Sequence, residues 1–171
     1  YVSLWILIVL AFIAFFAPLL ANDRPLMMKY KGQIFFPAFS FANKYEVKDE
    51  QTGKTDTIQL DIAEWKKMNF DFVIWPLVPY APDKADAENA GDVSPSAEQT
   101  FVNAEGKIVA LPWPFRHWLG TSSRGEDVLS GLIHGARISL TIGFLSMSIA
   151  ALLRLLLGSL AGFFGDERMK T

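Results

Sequence analysis

The chain has 171 residues, 51% of them hydrophobic, with a formal charge of −2. That balance gives no case for nucleic acid as a partner, which calls for a basic patch. Cysteine is absent, which excludes disulfides and thiolate metal sites. The average conceals a segregation. Two apolar blocks lie at the ends and a mixed polar stretch lies between them. This is the pattern of a membrane protein with one sizeable region outside the bilayer.

Residues 1–21 contain no charge and centre on the run from Leu4 to Phe16. At about 1.5 Å per residue the block is long enough to cross a bilayer. Tyr1 and Trp5 suit an interface, and Asn22-Asp23-Arg24-Pro25 ends the span. A cleaved secretory leader is the rival reading. It is disfavoured by the length of the apolar run and by the lack of a positive segment ahead of it. The abrupt apolar start leads us to expect a basic leader upstream of Tyr1.

Residues 22–118 form the variable middle. Gln33 to Phe36 predicts a short strand stopped by Pro37. Asp61 and Glu64 have a capping spacing, and Ile62, Trp65 and Met68 suit a short helix after it. Phe70, Phe72 and Ile74 alternate with Asp71 and Val73, which predicts a strand ending at Trp75-Pro76. Pro76, Pro79 and Pro82 then break regular structure. Asp83 to Gln99 is rich in Ala, Asp and Glu, with Val93 its only hydrophobic anchor, and reads as a solvated or mobile loop. Thr100–Val102 and Lys107–Ala110 flank Asn103-Ala104-Glu105-Gly106 and predict a hairpin. The aromatics Phe35, Phe36, Phe39, Phe41, Trp65, Phe70, Phe72, Trp75 and Tyr80 admit two roles, a peptide-binding surface or the core of a small domain. Short strands need a core, which favours the second.

Residues 119–137 read as an amphipathic helix lying at the interface. Ser123 and Glu126 have capping-box spacing, and Glu126 and Asp127 put negative charge in a first turn. Val128, Leu129, Leu132, Ile133 and Ala136 share one face at helical spacing. A capped surface helix of a soluble domain would look the same. Residues 138–165 decide the matter, because from Ile138 to Phe164 the only charge is Arg154 and the run is long enough to span. Gly158 and Gly162 have the spacing that lets membrane helices approach closely, although glycine is common in membrane helices in any case.

Several chemistries have no residues to carry them. There is no phosphate-binding Gly-x-x-x-x-Gly-Lys-Ser/Thr loop, so the chain should not bind ATP or its magnesium itself. There is no Gly-x-Ser-x-Gly elbow. His117 and His134 have no acidic or second histidine partner at ligand spacing, so no metal site is expected.

Leu119-Gly120-Thr121, Gly125, Asp127-Val128-Leu129-Ser130, Gly135-Ala136-Arg137-Ile138-Ser139 and Gly158-x-Leu160-Ala161-Gly162-Phe163-Phe164-Gly165 form one long pattern. It resembles the early part of the C-type permease of peptide-importing ABC transporters. The usual pattern reads Gly-Thr-Asp, a Gly, Arg-Asp-Val-Leu-Ser-Arg, then Tyr-Gly-Ala-Arg-Ile-Ser. This chain departs from it at Ser122, Glu126, Gly131 and His134. Residues 21–37 further resemble the subgroup related to microcin C and oligopeptide uptake, whose subunit carries a long periplasmic insertion.

The resemblance implies a membrane α-helical fold, two transmembrane helices flanking an irregular α+β periplasmic region, as the amino-terminal part of a multi-span permease. It implies a bacterial inner membrane location, with the amino end inside, residues 22–137 outside and residues 166–171 inside. It makes Gly120, Thr121, Gly125, Asp127, Gly135 and Arg137 the motif and coupling candidates, and it places the ATPase-coupling loop beyond Thr171. The implied partners are a second homologous permease, two cytoplasmic ATPase subunits that hold ATP and magnesium, a periplasmic peptide-binding protein, the peptide and membrane lipid. The subunit itself would not be an enzyme. From the residues alone, a two-span membrane-tethered binding or structural protein remains the alternative.

Overall fold

The computed structural model describes residues 1–40, 42, 44–48, 55–60, 65–103 and 105–165. Helix α1 runs Val2–Leu20 and helix α2 runs Val128–Gly165. Both are long and apolar enough to cross a membrane. Among the described residues seven short strands lie between them: β1 Met27–Tyr30, β2 Gln33–Phe35, β3 Lys44–Lys48, β4 Thr55–Gln59, β5 Phe72–Ile74, β6 Thr100–Val102 and β7 Ile108–Ala110.

The end of α1 satisfies its own carbonyls. Ala21 N donates to Ala17 O at 2.9 Å, Asn22 Nδ2 to Pro18 O at 3.1 Å, and Val78 N to Leu20 O at 2.8 Å. Helix ends leave carbonyls orphaned unless such partners exist. The bond from Val78 belongs to a parallel bridge between Ala21 and Val78, which stitches the extended 75–82 segment to the helix end.

β1 is the centre of an antiparallel sheet ordered β2-β1-β5. The β1–β2 turn is Lys31-Gly32, with φ of 50° and 79°. Two left-handed residues in a two-residue loop suit the twist of a hairpin. Met28 stands opposite both Phe35 and Val73, and these three face the core. The neighbouring row, Lys29 with Ile34 and Phe72, faces outward. The predicted alternation at 70–74 therefore finds the strand, but its inward residue is Val73. The ribbon β3–β4 adds Val47 and Ile58, and Leu60 and Trp65 complete the buried cluster.

Of the aromatics assigned to packing, Trp65 and Tyr80 are buried, and Phe35, Phe70 and Trp75 pack against the core. Phe36, Phe39 and Phe72 are exposed. Trp65–Lys67 is a 3-10 turn within the stretch expected to be a short helix. The capping pair Asp61 and Glu64, together with Phe41, Ile62, Ala104 and residues 166–171, lies outside the described residues. β6 and β7 form the predicted hairpin, with Asn103 Oδ1 accepting from the amides of Glu105 and Lys107.

α2 starts later than the capping box at Ser123 suggests. Gly125 has φ +84°, which no helix interior allows. The Ser122 hydroxyl, one residue earlier, accepts from Glu126 N at 3.2 Å. Residues 119–127 therefore form a turn-rich loop in which Thr121 bridges to Asp127. Asp127 is the true cap: its Oδ1 accepts from Ser130 N at 2.6 Å. A side-chain oxygen at that position satisfies one of the free amides of the first turn. The helix then runs unbroken through Gly135 to Gly165, so the stretch read as an interfacial helix and the span after it share one helix from Val128. At 38 residues it is about 57 Å long against a hydrocarbon layer of about 30 Å.

Candidate functional site

The motif residues converge where α2 meets the region between the helices. Gly120 and Gly125 allow two close backbone crossings. A Cβ on Gly120 would stand 2.2 Å from Val93 O, and one on Gly125 would stand 2.3 Å from Asp86 O. Both have positive φ, the conformation glycine adopts without strain. Around these crossings the backbone pairs in both directions. Asp86 N donates to Gly125 O at 2.9 Å, Thr121 N to Val93 O at 3.1 Å, and Val128 N to Gly120 O at 3.2 Å. The buried Thr121 hydroxyl donates to Asn89 O and accepts from Val93 N.

His117 lies at the centre and is fully buried. Its Nδ1 is 2.8 Å from Asp127 Oδ2 and its Nε2 is 3.3 Å from Asp86 Oδ2. With a carboxylate at each ring nitrogen, the charged imidazolium, a donor at both, is the form that fits. Burial opposes that charge, but the hydrogen bonds to Asp127 and Asp86 outweigh it and raise the His117 pKa above its ordinary range. Burial likewise works against a charged Asp86. The hydrogen bond from His117, the charge of Lys66 and the hydrogen bond from Asn89 overcome it and hold the carboxyl below its ordinary range.

The ring of His117 stacks on Tyr80 with centroids 4.0 Å apart. Burial, followed by the nearby Asp86 and Asp127, pushes the Tyr80 hydroxyl well above the usual phenol range. It therefore stays a donor, to Phe115 O. Lys66 Nζ sits 3.7 Å from the Tyr80 ring centroid. Burial lowers its pKa to about 8, against the opposing pull of Asp86, Glu88 and Asp127. Gln99 pins the backbone of His117 from both sides, accepting from its N at 2.7 Å and donating to its O at 3.1 Å. The Ser130 hydroxyl donates to Tyr80 O at 2.8 Å, tying α2 to the extended segment.

The arrangement is a clasp. No ring nitrogen of His117 is open to solvent, so it is not placed to act on a bound substrate. Its two carboxylates come from different segments, Asp86 from the 83–99 stretch and Asp127 from the helix cap. Together they fix that stretch to α2. Two turns beyond the cap, His134 Nε2 meets Ala21 O at 2.9 Å and joins α2 to the end of α1. Leu129 and Ile133 pack beside it on Ala21, Val78 and Tyr80.

Four of the sequence candidates, Gly120, Thr121, Gly125 and Asp127, are thus brought together. Gly135 and Arg137 lie further along α2, outside the clasp. Gly158 and Gly162 are exposed near its far end, where an added Cβ would meet nothing within 4 Å. Sequence reasoning missed Asp86, Asn89, Gln99, His117 and Ser130. The segment from Asp83 to Gln99, expected to be solvated, is anchored by Asn89 and Gln99, both buried. His117, read as lacking an acidic partner, has two, because ligand spacing was sought along the chain and the partners are 31 and 10 residues away. Among the described residues no cluster suited to a metal ion occurs. Two departures from the family pattern meet each other, since the Ser122 hydroxyl donates to Glu126 Oε2 at 3.1 Å. The pattern has Asp and Arg at these positions, so both sides of one contact differ together.

No family profile matches the chain, and no solved structure matches it. Among characterised proteins, it is 30% identical over 169 residues to the inner membrane ABC transporter permease protein YejE of Escherichia coli K12, covering 98% of this chain and 44% of that protein. It is 27% identical over 178 residues to the peptidoglycan transport system permease protein YejE of Agrobacterium fabrum, covering 96% of this chain and 45% of that one. A shorter match, 56% identical over 48 residues, 28% of this chain and 16% of the relative, is to the di/tripeptide transport system permease protein DppC of Pseudomonas aeruginosa. The chain spans less than half the length of the relatives it matches throughout. Its homologues are permease proteins of transport systems, named for ABC transport in one case and for di/tripeptides or oligopeptides in others.

Proposed function

We propose that this chain is the amino-terminal part of a permease subunit of an ATP-driven peptide importer of the bacterial inner membrane. The observation that carries the reading is the match to the Escherichia coli permease across 98% of the chain, joined to two helices able to cross a bilayer. On this reading α1 and α2 cross the membrane, and residues 22–127 form a periplasmic unit clasped to α2. The subgroup likeness makes an oligopeptide or a microcin C-like peptide the proposed cargo. The subunit pairs with a second permease and two cytoplasmic ATPases, and a periplasmic binding protein delivers the peptide. ATP and magnesium stay on the ATPases, and access alternates between the two sides. Arg154 faces protein or water in the assembled transporter, because a mid-span arginine in lipid costs a few kcal/mol on insertion scales.

The clasp gives this subunit a mechanical role. A binding protein that presses on residues 22–127 pushes on a unit fastened to the first turn of a pathway helix. The test uses the reconstituted full transporter. Val128 and Leu132, both exposed on the first turns of α2, are changed to Asp, and assembly is confirmed. The reading expects assembled complexes whose ATP hydrolysis no longer responds to the loaded binding protein. Normal stimulation and uptake would leave the first turns of α2 as a passive anchor, and a wild-type transporter that moves no peptide would overturn the permease reading itself.

A further inference from the structure

A shallow groove runs along α2, lined by Gly143, Ser146, Met147, Ala150, Ala151 and Arg154. Gly143, Ser146, Ala150 and Arg154 follow one another at three- and four-residue steps and so share a face of the helix. All six lining residues are exposed, so α1 does not cover them. A Cβ on Gly143 would meet nothing within 4 Å, and side chains this small let the backbone of another helix approach closely. The hydroxyl of the groove is already used, because Ser146 Oγ donates to Ile142 O at 2.8 Å. Arg154 is different. No hydrogen bond or ion pair to it occurs among the described residues.

The charge lies deep in the apolar run. Residue 151 is the middle of 138–164, so Arg154 stands about 4.5 Å past that middle along the axis. Half the hydrocarbon layer is about 15 Å. Arginines that reach lipid headgroups sit near helix ends, whereas one at this depth pairs with a group of the protein. A carboxylate suits best, since the guanidinium fork matches it with two parallel hydrogen bonds.

We propose that the groove seats a second membrane helix from the remainder of the same polypeptide, with an Asp or Glu on that helix paired to Arg154. The pairing rests on the permease reading, in which α2 is a membrane span. The Escherichia coli permease matches 98% of this chain over 44% of its own length, so more than half of that relative lies outside the match. A helix tethered to α2 meets the groove at a high effective concentration, an advantage that a separate chain lacks.

The experiment is photo-cross-linking of the full-length protein in its membrane. Met147, exposed on the groove, is changed to Cys, any other cysteine is replaced, and a benzophenone maleimide is attached. Mass spectrometry then identifies what the probe has joined. The expected product is a membrane helix of the same chain, with Asp or Glu within about one turn of the attached residue. Arg154→Glu is expected to lower the yield at least about fivefold, since two carboxylates then face each other. Changing the partner carboxylate to Arg in the same protein is expected to restore it. Should Arg154→Glu fail to assemble, the cross-link formed with Arg154 in place still identifies the partner. Attachment to lipid, to a separate protein chain, to the transported peptide or to a helix without a carboxylate overturns the proposal. Any of those products alongside intact peptide uptake leaves the permease reading standing. The expected cross-link in a protein that moves no peptide does the reverse.

Discussion

Gly125 and His117 are the residues on which the clasp turns. Replacing Gly125 with Ala forces a side chain into left-handed backbone and drives its Cβ to 2.3 Å from Asp86 O. Strain of this kind costs about 1–3 kcal/mol, so thermal unfolding of the purified protein should show G125A destabilised by at least about 1 kcal/mol. The same change at Gly131, which has open space around it, should cost little. His117→Gln leaves Asp86 and Asp127 without the cation between them. Removing one partner of a buried ion pair costs about 3–5 kcal/mol. That loss should depend on pH. His117 holds its proton more tightly folded than unfolded, so its contribution is complete below its unfolded value, about pH 6.5, and disappears as pH rises through the raised folded value. Asp86 works the other way, contributing above the ordinary carboxylate range and failing only as pH falls through its lowered value. Unfolding of wild type and H117Q should therefore differ most near pH 5–6 and converge in alkali. A difference that stays flat or grows with pH would mean that His117 is neutral in the folded protein.

At the scale of elements, the start of α2 separates what was legible from what was not. The two apolar helices could be read directly, because hydropathy is a local property. So could β2, β5 and the β6–β7 hairpin, whose signals lie within a few residues. The helix start was misread because Ser123-x-x-Glu126 satisfies a local rule that the backbone at Gly125 overrides. A direct consequence is that Ser123→Ala should change stability by no more than about 0.5 kcal/mol, as an ordinary surface substitution does. Asp127→Ala should cost at least about 1 kcal/mol for the cap alone, and more through His117. Unfolding of the two variants measures this, and equal effects would restore the capping box. The clasp was illegible for a different reason. Its anchors are polar, and a polar stretch such as Asp83–Gln99 reads as solvated until the partner of each group is known. Asn89 illustrates this, since both ends of its amide are used by Thr100, and nothing along the chain announces that pairing.

In the molecule as a whole, two long apolar helices flank a folded unit held where α1 ends and α2 begins. Three of the ties that hold that unit in place are the Ala21–Val78 bridge, the Ser130–Tyr80 bond and the Asp86–His117–Asp127 clasp. All three lie where α1 ends and α2 begins. The helices themselves are apolar and largely exposed beyond that point, as surfaces destined for lipid or neighbouring helices are. α2 is far longer than the hydrocarbon layer requires, so part of it stands outside or the helix tilts.

On the proposed topology the chain crosses the membrane twice, with residues 22–127 on the outer side. Single cysteines at the exposed Glu98 and at Lys170 test it most directly, the given 171 residues holding none and any elsewhere in the full-length protein being replaced. In intact cells expressing that full-length protein, a membrane-impermeant maleimide should label Glu98→Cys at once and Lys170→Cys only after the cells are opened. Labelling of both from outside, or of neither until lysis, would contradict the account.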